Sequence, residues 1–318
     1  MRLHNYTLRC CYILVLLLMA CQPAPKKGTH TDLNVPSPTA PKEKEEARIL
    51  TSEFKEYWYS GVAELSSYTL EQARYGEIRD GEAVLIYVTE PFDQEKQVKA
   101  NRKGPNTTSV MKLNRVRKFL TGVYPYSIMS SVFYPVSDNQ HALKLTTSVQ
   151  EWCGHVYAQL NNRESFEVRS HSYFESEADQ KFELAKSLLE DELWTKLRFE
   201  PDDLPTGKTS LIPSLEYLRL KHKAIKAYEA TLTLSEAGQS RTYTLTYPEL
   251  NRTLQIHFQG SFPYRIEGWT ETYPSGFAPG SPMITSVASR KKTLLTPYWQ
   301  KNTNSDVPLR DTLGLSMK

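Results

Sequence analysis

From residue 62 to residue 295 the sequence reads as one strand pattern after another, with apolar and polar residues alternating and turn residues at the breaks. A period of two buries one face of a pleated sheet. The first stretch, 62–78, alternates in part. Arg79-Asp80-Gly81 then predicts a hairpin into a strand over 83–88, because Asp and Gly tolerate the positive φ of a tight turn. Strands are expected over 111–123 and 126–136. Ser137-Asp138-Asn139 turns the chain into 142–158, and Asn161-Asn162 turns it into 165–174. Further strands are expected over 225–234, 242–247, 253–258, 264–272 and 284–295, with turns at Glu236-Ala237-Gly238 and Glu249-Leu250-Asn251 and a longer loop over 273–282. One segment departs from this period. Ala178, Phe182, Ala185, Leu189, Leu193 and Leu197 recur at steps of three and four. Ser176 with Asp179 resembles a capping box, and Pro201 and Pro205 end the run. A helix is expected over 177–197. The fold class is therefore mainly β, with antiparallel sheets and one mid-chain α-helix. The sheets form either two β lobes (51–176 and 198–302) or one curved open barrel.

The N-terminus reads as an address. Arg2 and Arg9 are the only charged residues among the first twenty, and an apolar run follows from Cys10 to Ala20. That run is too short to span a bilayer, which takes about 20 residues, and suits a signal-peptide core. It ends Leu18-Met19-Ala20-Cys21, which resembles the bacterial lipobox. The resemblance implies removal of 1–20 and lipid on the Cys21 sulfur, so that acyl chains hold the protein to a membrane. Gln22 in place of Asp permits export to the outer membrane, and the lack of acids over 22–31 favours a body facing the periplasm. Pro23, Pro25, Pro36, Pro38 and Pro41 mark 21–50 as an extended tether. The tail over 303–318 is polar and is expected to be loose.

The chain carries 39 Lys and Arg against 36 Asp and Glu, and loss of Arg2 and Arg9 leaves it near balance. There is no electrostatic case for nucleic-acid binding. The basic run Asn114-Arg115-Val116-Arg117-Lys118 reads as the solvent side of a strand. Of four cysteines, Cys10 and Cys11 leave with the leader and Cys21 is lipidated. Cys153 alone stays a thiol, so the body rests on its core and not on disulfides.

The one candidate for catalysis is Glu151-Trp152-Cys153-Gly154-His155. On a single strand Glu151, Cys153, His155 and Tyr157 would share a face, with His155 activating the Cys153 thiol and Glu151 orienting the imidazole. Same-face neighbours sit about 6.5–7 Å apart, so contact would need a bulge at Gly154. The bland alternative is a buried thiol beside a hydrogen-bonded His155, with Gly154 giving room to Trp152. His171 is expected on the same sheet as His155. Gly207-Lys208-Thr209 lacks the first glycine of a phosphate loop. No cofactor and no metal site is expected. Nineteen tyrosines against 11 phenylalanines suit strand edges and the rim of a core, with a surface that binds as the alternative.

Four segments carry a family resemblance: 70–77 (LEQARYGE), 124–131 (YPYSIMSS), 151–157 (EWCGHVY) and 212–220 (IPSLEYLRL). Over about 52–302 the chain resembles an uncharacterised family of Bacteroidota lipoproteins often labelled "septum formation inhibitor Maf". True Maf proteins are nucleotide pyrophosphatases with an N-terminal Ser-x-Ser-x-Arg-Arg loop. That loop is absent here, and Ala288-Ser289-Arg290-Lys291 lacks its spacing, so no catalytic residue is carried over. Separately, Asp311-Thr312-Leu313 resembles a Bacteroidota O-glycosylation site, with Thr312 as acceptor. The expected function is that of a membrane-anchored, non-enzymatic envelope scaffold for a lipid, glycan or protein partner. The alternative is a cysteine enzyme using Cys153 and His155.

Overall fold

The computed structural model describes residues 48–315. The leader, Cys21 and nearly all of the tether lie outside them. Sixteen strands form one sheet. In chain order they are β1 (Ala63–Arg74), β2 (Glu77–Asp93), β3 (Val98–Lys99), β4 (Thr107–Thr121), β5 (Tyr124–Pro135), β6 (Lys144–Glu151), β7 (Gly154–Asn162), β8 (Phe166–Ser172), β9 (Gln180–Leu184), β10 (Leu188–Leu189), β11 (Gly207–Ile212), β12 (Tyr228–Ala237), β13 (Ser240–Tyr247), β14 (Arg252–Gln259), β15 (Ile266–Pro274) and β16 (Met283–Thr296). Four α-helices accompany them: α1 (Ser52–Trp58), α2 (Glu190–Lys196), α3 (Leu215–Leu220) and α4 (Leu309–Thr312).

Spatial order runs from β10 through β16, then β1, β2 and β4 through β9, with β3 hung on β2. The strands expected as two lobes, 51–176 and 198–302, thus join edge to edge. β1 pairs with β16 along nine registered positions from Ala63–Thr296 to Glu71–Val287. All pairings are antiparallel except that of β10 with β11. The two edge strands, β9 and β10, are linked only by residues 185–187. Such a link spans no more than about 14 Å, so the sheet must curl until its edges approach. The curved open barrel is the observed form, with a seam in place of closure.

Alternation works as expected along most strands. On β14, Arg252, Leu254, Ile256 and Phe258 are buried and the residues between them are half-buried. The local turn reading fails in three places. The first hairpin turns at Tyr75-Gly76, both at positive φ (54° and 80°), not at Arg79-Asp80-Gly81. Gly81 lies inside β2 between Leu70 and Phe119 of its neighbours, and a Cβ there would overlap the Lys118 carbonyl. Its glycine serves close strand approach. The expected strand 142–158 breaks at Trp152-Cys153 into β6 and β7. Asn161-Asn162 end β7, with the turn one step later.

The helix expected over 177–197 covers only Glu190–Lys196. Residues 180–184 pair with β8 from Ser170–Gln180 to Phe166–Leu184, and Ala178 sits at φ 50°, which no helix continues through. Asp179 faces His171 at 3.3 Å and caps nothing. Hydrogen bonding to an available sheet edge overrides the three-four periodicity.

Helices α2 and α3 lie within the curl. Tyr87 of β2 donates to the Trp194 carbonyl at 2.8 Å, and Trp194 packs edge-on against Trp269 of β15. Helix α1 closes one mouth. Thr51 caps it by accepting from the Phe54 amide at 3.1 Å, and Phe54 stacks on Phe199 at 5.3 Å. Arg48 donates to the Val136 carbonyl (2.9 Å) and pairs with Glu200 (3.0 Å) at the same mouth. The described body therefore begins at the end where β2 leads to β4 and β5 to β6. The other mouth carries the turns 75–76, 122–123 and 152–153 and the loops 173–179, 213–227 and 275–282.

Candidate functional site

The interior holds a layer of charge. Arg115 and Arg117 of β4 are buried at 2% and 6% exposure, as are Arg252 of β14 and Glu271 of β15. Helices α2 and α3 supply Glu190, Asp191 and Glu216, all buried. Arg252 grips Glu190 through two bonds of 2.5 and 2.7 Å and Glu271 through a third of 2.7 Å, with its plane 4.1 Å from the Tyr217 ring. Tyr247 donates to the same Glu190 oxygen at 2.7 Å. Arg115 donates to Asp191 at 2.6 Å and to Ser214 at 2.9 Å. Arg117 lies 3.3 Å from Glu216 and 3.7 Å from Glu271. The basic run expected to face solvent thus does the opposite. Arg115 and Arg117 share the inward face with Met111, Leu113 and Phe119, while Val116 and Lys118 point outward.

Four carboxyls meet three guanidinia in this layer, so one acid lacks a full partner. Glu216 is that acid, and neither of its oxygens accepts a hydrogen bond. Burial drives its pKa above the ordinary carboxylate value, against the pull of Arg117 and Arg115. The space left among these groups is about 10 Å³, room for one water and no ligand. The layer acts as structure, holding α2 and α3 against the strands.

Above it, at the open mouth, lies an aromatic and cationic rim. Arg74, at the end of β1, donates to the Leu220 carbonyl (2.7 Å) and the Tyr126 hydroxyl (3.0 Å) and sits 4.2 Å from the Tyr75 ring. Tyr75 meets Phe277 at 6.0 Å, and Phe277 meets His222 at 5.3 Å. His222 and Arg219 both bond Glu177, at 2.6 and 3.3 Å, and Arg219 lies 4.3 Å over Phe174. Lys221 ties down the 275–282 loop through the Pro274 and Gly276 carbonyls, both at 2.7 Å. Burial and the nearby Arg74 and Lys223 lower its pKa to about 8. Across the mouth, Tyr124 packs on Trp152 at 6.3 Å. Trp152, Tyr173 and Phe277 are 70%, 79% and 57% exposed. Phe277 lies 5.5 Å from the buried Arg74 guanidinium, while Trp152 rests on Tyr124 and Tyr173 meets Phe174 edge-on.

The residues proposed for catalysis do not converge. Glu151 pairs with Gly154 and His155 with Gln150, so Glu151 faces inward and His155 outward. Cys153 is exposed at the hairpin tip, neither buried nor in a cleft. Glu151 accepts from the Cys153 amide at 2.6 Å. Its hydrogen bond and negative charge push the thiol pKa up, the reverse of what a nucleophile requires. Gly154 makes room for Tyr173 and Phe174 of the rim rather than for Trp152, since a Cβ there would come within 2.9 Å of the Tyr173 ring. His171 does share the outer face with His155, opposite Tyr157. Gly207-Lys208-Thr209 lies in β11, and Thr312 is exposed at the end of α4. Among the described residues no group of three or more His, Cys, Asp or Glu is placed to hold a metal, and no helix is long and apolar enough to cross a membrane. Replacing Glu151 by glutamine should speed iodoacetamide labelling of Cys153 at neutral pH; unchanged or slower labelling would contradict the assigned cause.

Comparison with family models, with curated proteins and with solved structures finds no match to this chain.

Proposed function

We propose that the protein is a lipid-anchored envelope protein that works without catalysis, by docking a partner protein on the aromatic rim. The observation carrying this reading is the exposure of Trp152, Tyr173 and Phe277 around Arg74 and Arg219. Trp, Tyr and Arg are the residues that most often dominate protein interfaces. The packed interior argues against a lipid held inside the curl. Arg48, where the described residues begin, lies at the mouth opposite the rim.

Photo-crosslinking in cells tests this. A benzoylphenylalanine at Tyr173 or Phe277 should give a discrete protein adduct, lost when Trp152→Ala is added. The same group at Glu164 or Gln239, at the opposite mouth, should give none. Equal crosslinking at both mouths would end the proposal. Metabolic labelling with palmitate should mark the wild-type chain and not Cys21→Ser; label that survives the substitution would refute the anchor.

A further inference from the structure

We infer that the outer face of the sheet carries a second, separate site, which binds a single acyl chain with an anionic head. Outward positions of a sheet that meets water are ordinarily polar. On four adjacent strands they are not. Leu65 of β1, Val84 and Ile86 of β2, Val116 of β4 and Leu294 of β16 line a cavity of about 290 Å³. The segment after β16 arches over it. Leu313 is buried against Leu65 and Val88, with Tyr298 and Leu315 packed alongside. Two bonds pin this strap: the Ser67 hydroxyl donates to the Leu313 carbonyl at 2.5 Å, and Lys291 donates to the Gly314 carbonyl. Gly314 takes φ 62°, which lets the chain turn back over the groove.

The cavity is thus a partly covered, mainly apolar groove, close to the size that ligand sites commonly have. Its volume of about 290 Å³ is of the order of a medium-length acyl chain. Its polar edge selects the head. Lys118, Lys301 and Arg310 line it with Glu82 and Asp306, and Lys291 lies 3.7 Å from Glu82, so cations outnumber carboxylates around it. The Asp306 carboxylate accepts from the Thr303 hydroxyl (2.7 Å) and amide (3.1 Å), which orient it and leave it anionic. Lys118 is exposed at the mouth and has no ion pair among the described residues. A carboxylate or phosphate on a medium-length chain fits this balance, and an ammonium head does not. The site shares no residue with the rim, so the two readings stand or fall separately.

Calorimetric titration of the purified full chain with decanoate, decylammonium and decyl maltoside tests the assignment. Decanoate should bind saturably at one site. Decylammonium should bind about tenfold more weakly or not at all, since it places like charges together. Ile86→Trp fills the cavity from one wall and Lys118→Glu reverses the edge; each should weaken decanoate about tenfold or more. An unchanged thermal midpoint shows that each variant is folded. The inference fails if the wild type does not bind decanoate, or if Ile86→Trp binds it as the wild type does. It also fails if the two charged amphiphiles bind alike. Binding seen only after deletion of residues 316–318 would assign the cavity to the chain's own end and likewise overturn it.

Discussion

Replacing Arg252 by methionine is expected to destabilise the protein by about 3–5 kcal/mol, the usual cost of leaving a buried charge without its partner. Arg252 is 2% exposed, and it alone supplies two bonds to Glu190 and one to Glu271. Methionine fills much of the volume and keeps contact with Tyr217, so the loss reports the charge more than a cavity. The thermal midpoint should fall by roughly 10 °C for a domain of this size. Adding Glu190→Gln should recover part of the loss, because the stranded acid is then neutral. Differential scanning calorimetry of the wild type, both single variants and the double variant gives the coupling. A single variant within about 1 kcal/mol of wild type would mean that the charge layer does not hold the helices.

The second expectation concerns pH, and two kinds of buried acid act in opposite directions. Burial raises the Glu64 and Glu190 carboxyls, but the charge and hydrogen bonds of Arg198 and of Arg252 outweigh it and leave both pKa values lowered. An acid whose folded pKa is depressed contributes stability above its unfolded pKa, about 4.3 for Glu. That contribution is lost as pH falls through the folded value. Glu216 is raised by burial, so its proton is held more tightly in the folded state. Its contribution is present below the unfolded pKa and is lost as pH rises through the folded one. Urea midpoints from acid to mildly alkaline pH should therefore fall on acidification. Glu216→Gln should leave the acid limb in place and raise stability relative to wild type at neutral and alkaline pH. A lower midpoint for Glu216→Gln at neutral pH would show that Glu216 is needed as an anion.

The rim and the charge layer differ in how far they could be read before folding. Arg115 and Arg117 carried a usable signal, because they fall on the same alternation as Met111, Leu113 and Phe119. A charge in phase with an apolar face is an inward charge, and that phase outweighs the basic character of the run. Helix α2 carried no comparable signal: Glu190, Asp191 and Glu192 look like an ordinary first turn, and only the arginines on distant strands make their burial tolerable. The rim was invisible for another reason. Arg74, Trp152, Arg219 and Phe277 lie far apart in sequence and reach one mouth because the turns of alternate hairpins share it. Trp152 was read with its neighbour Cys153, where sequence proximity suggested chemistry that the hairpin turn then divided between two faces.

Sequence by itself determined the strand-rich body, most of the inward faces and the absence of disulfides in that body, but not the short helices α3 and α4. These follow from the period of the side chains and from counts, both local properties. Tertiary structure alone decided that the strands make one curled sheet with a seam, that 180–184 pairs as a strand, and which charges lie inside. Those outcomes depend on partners supplied from elsewhere in the chain, since a sheet edge needs a neighbour to bond and a buried carboxylate needs a guanidinium to face.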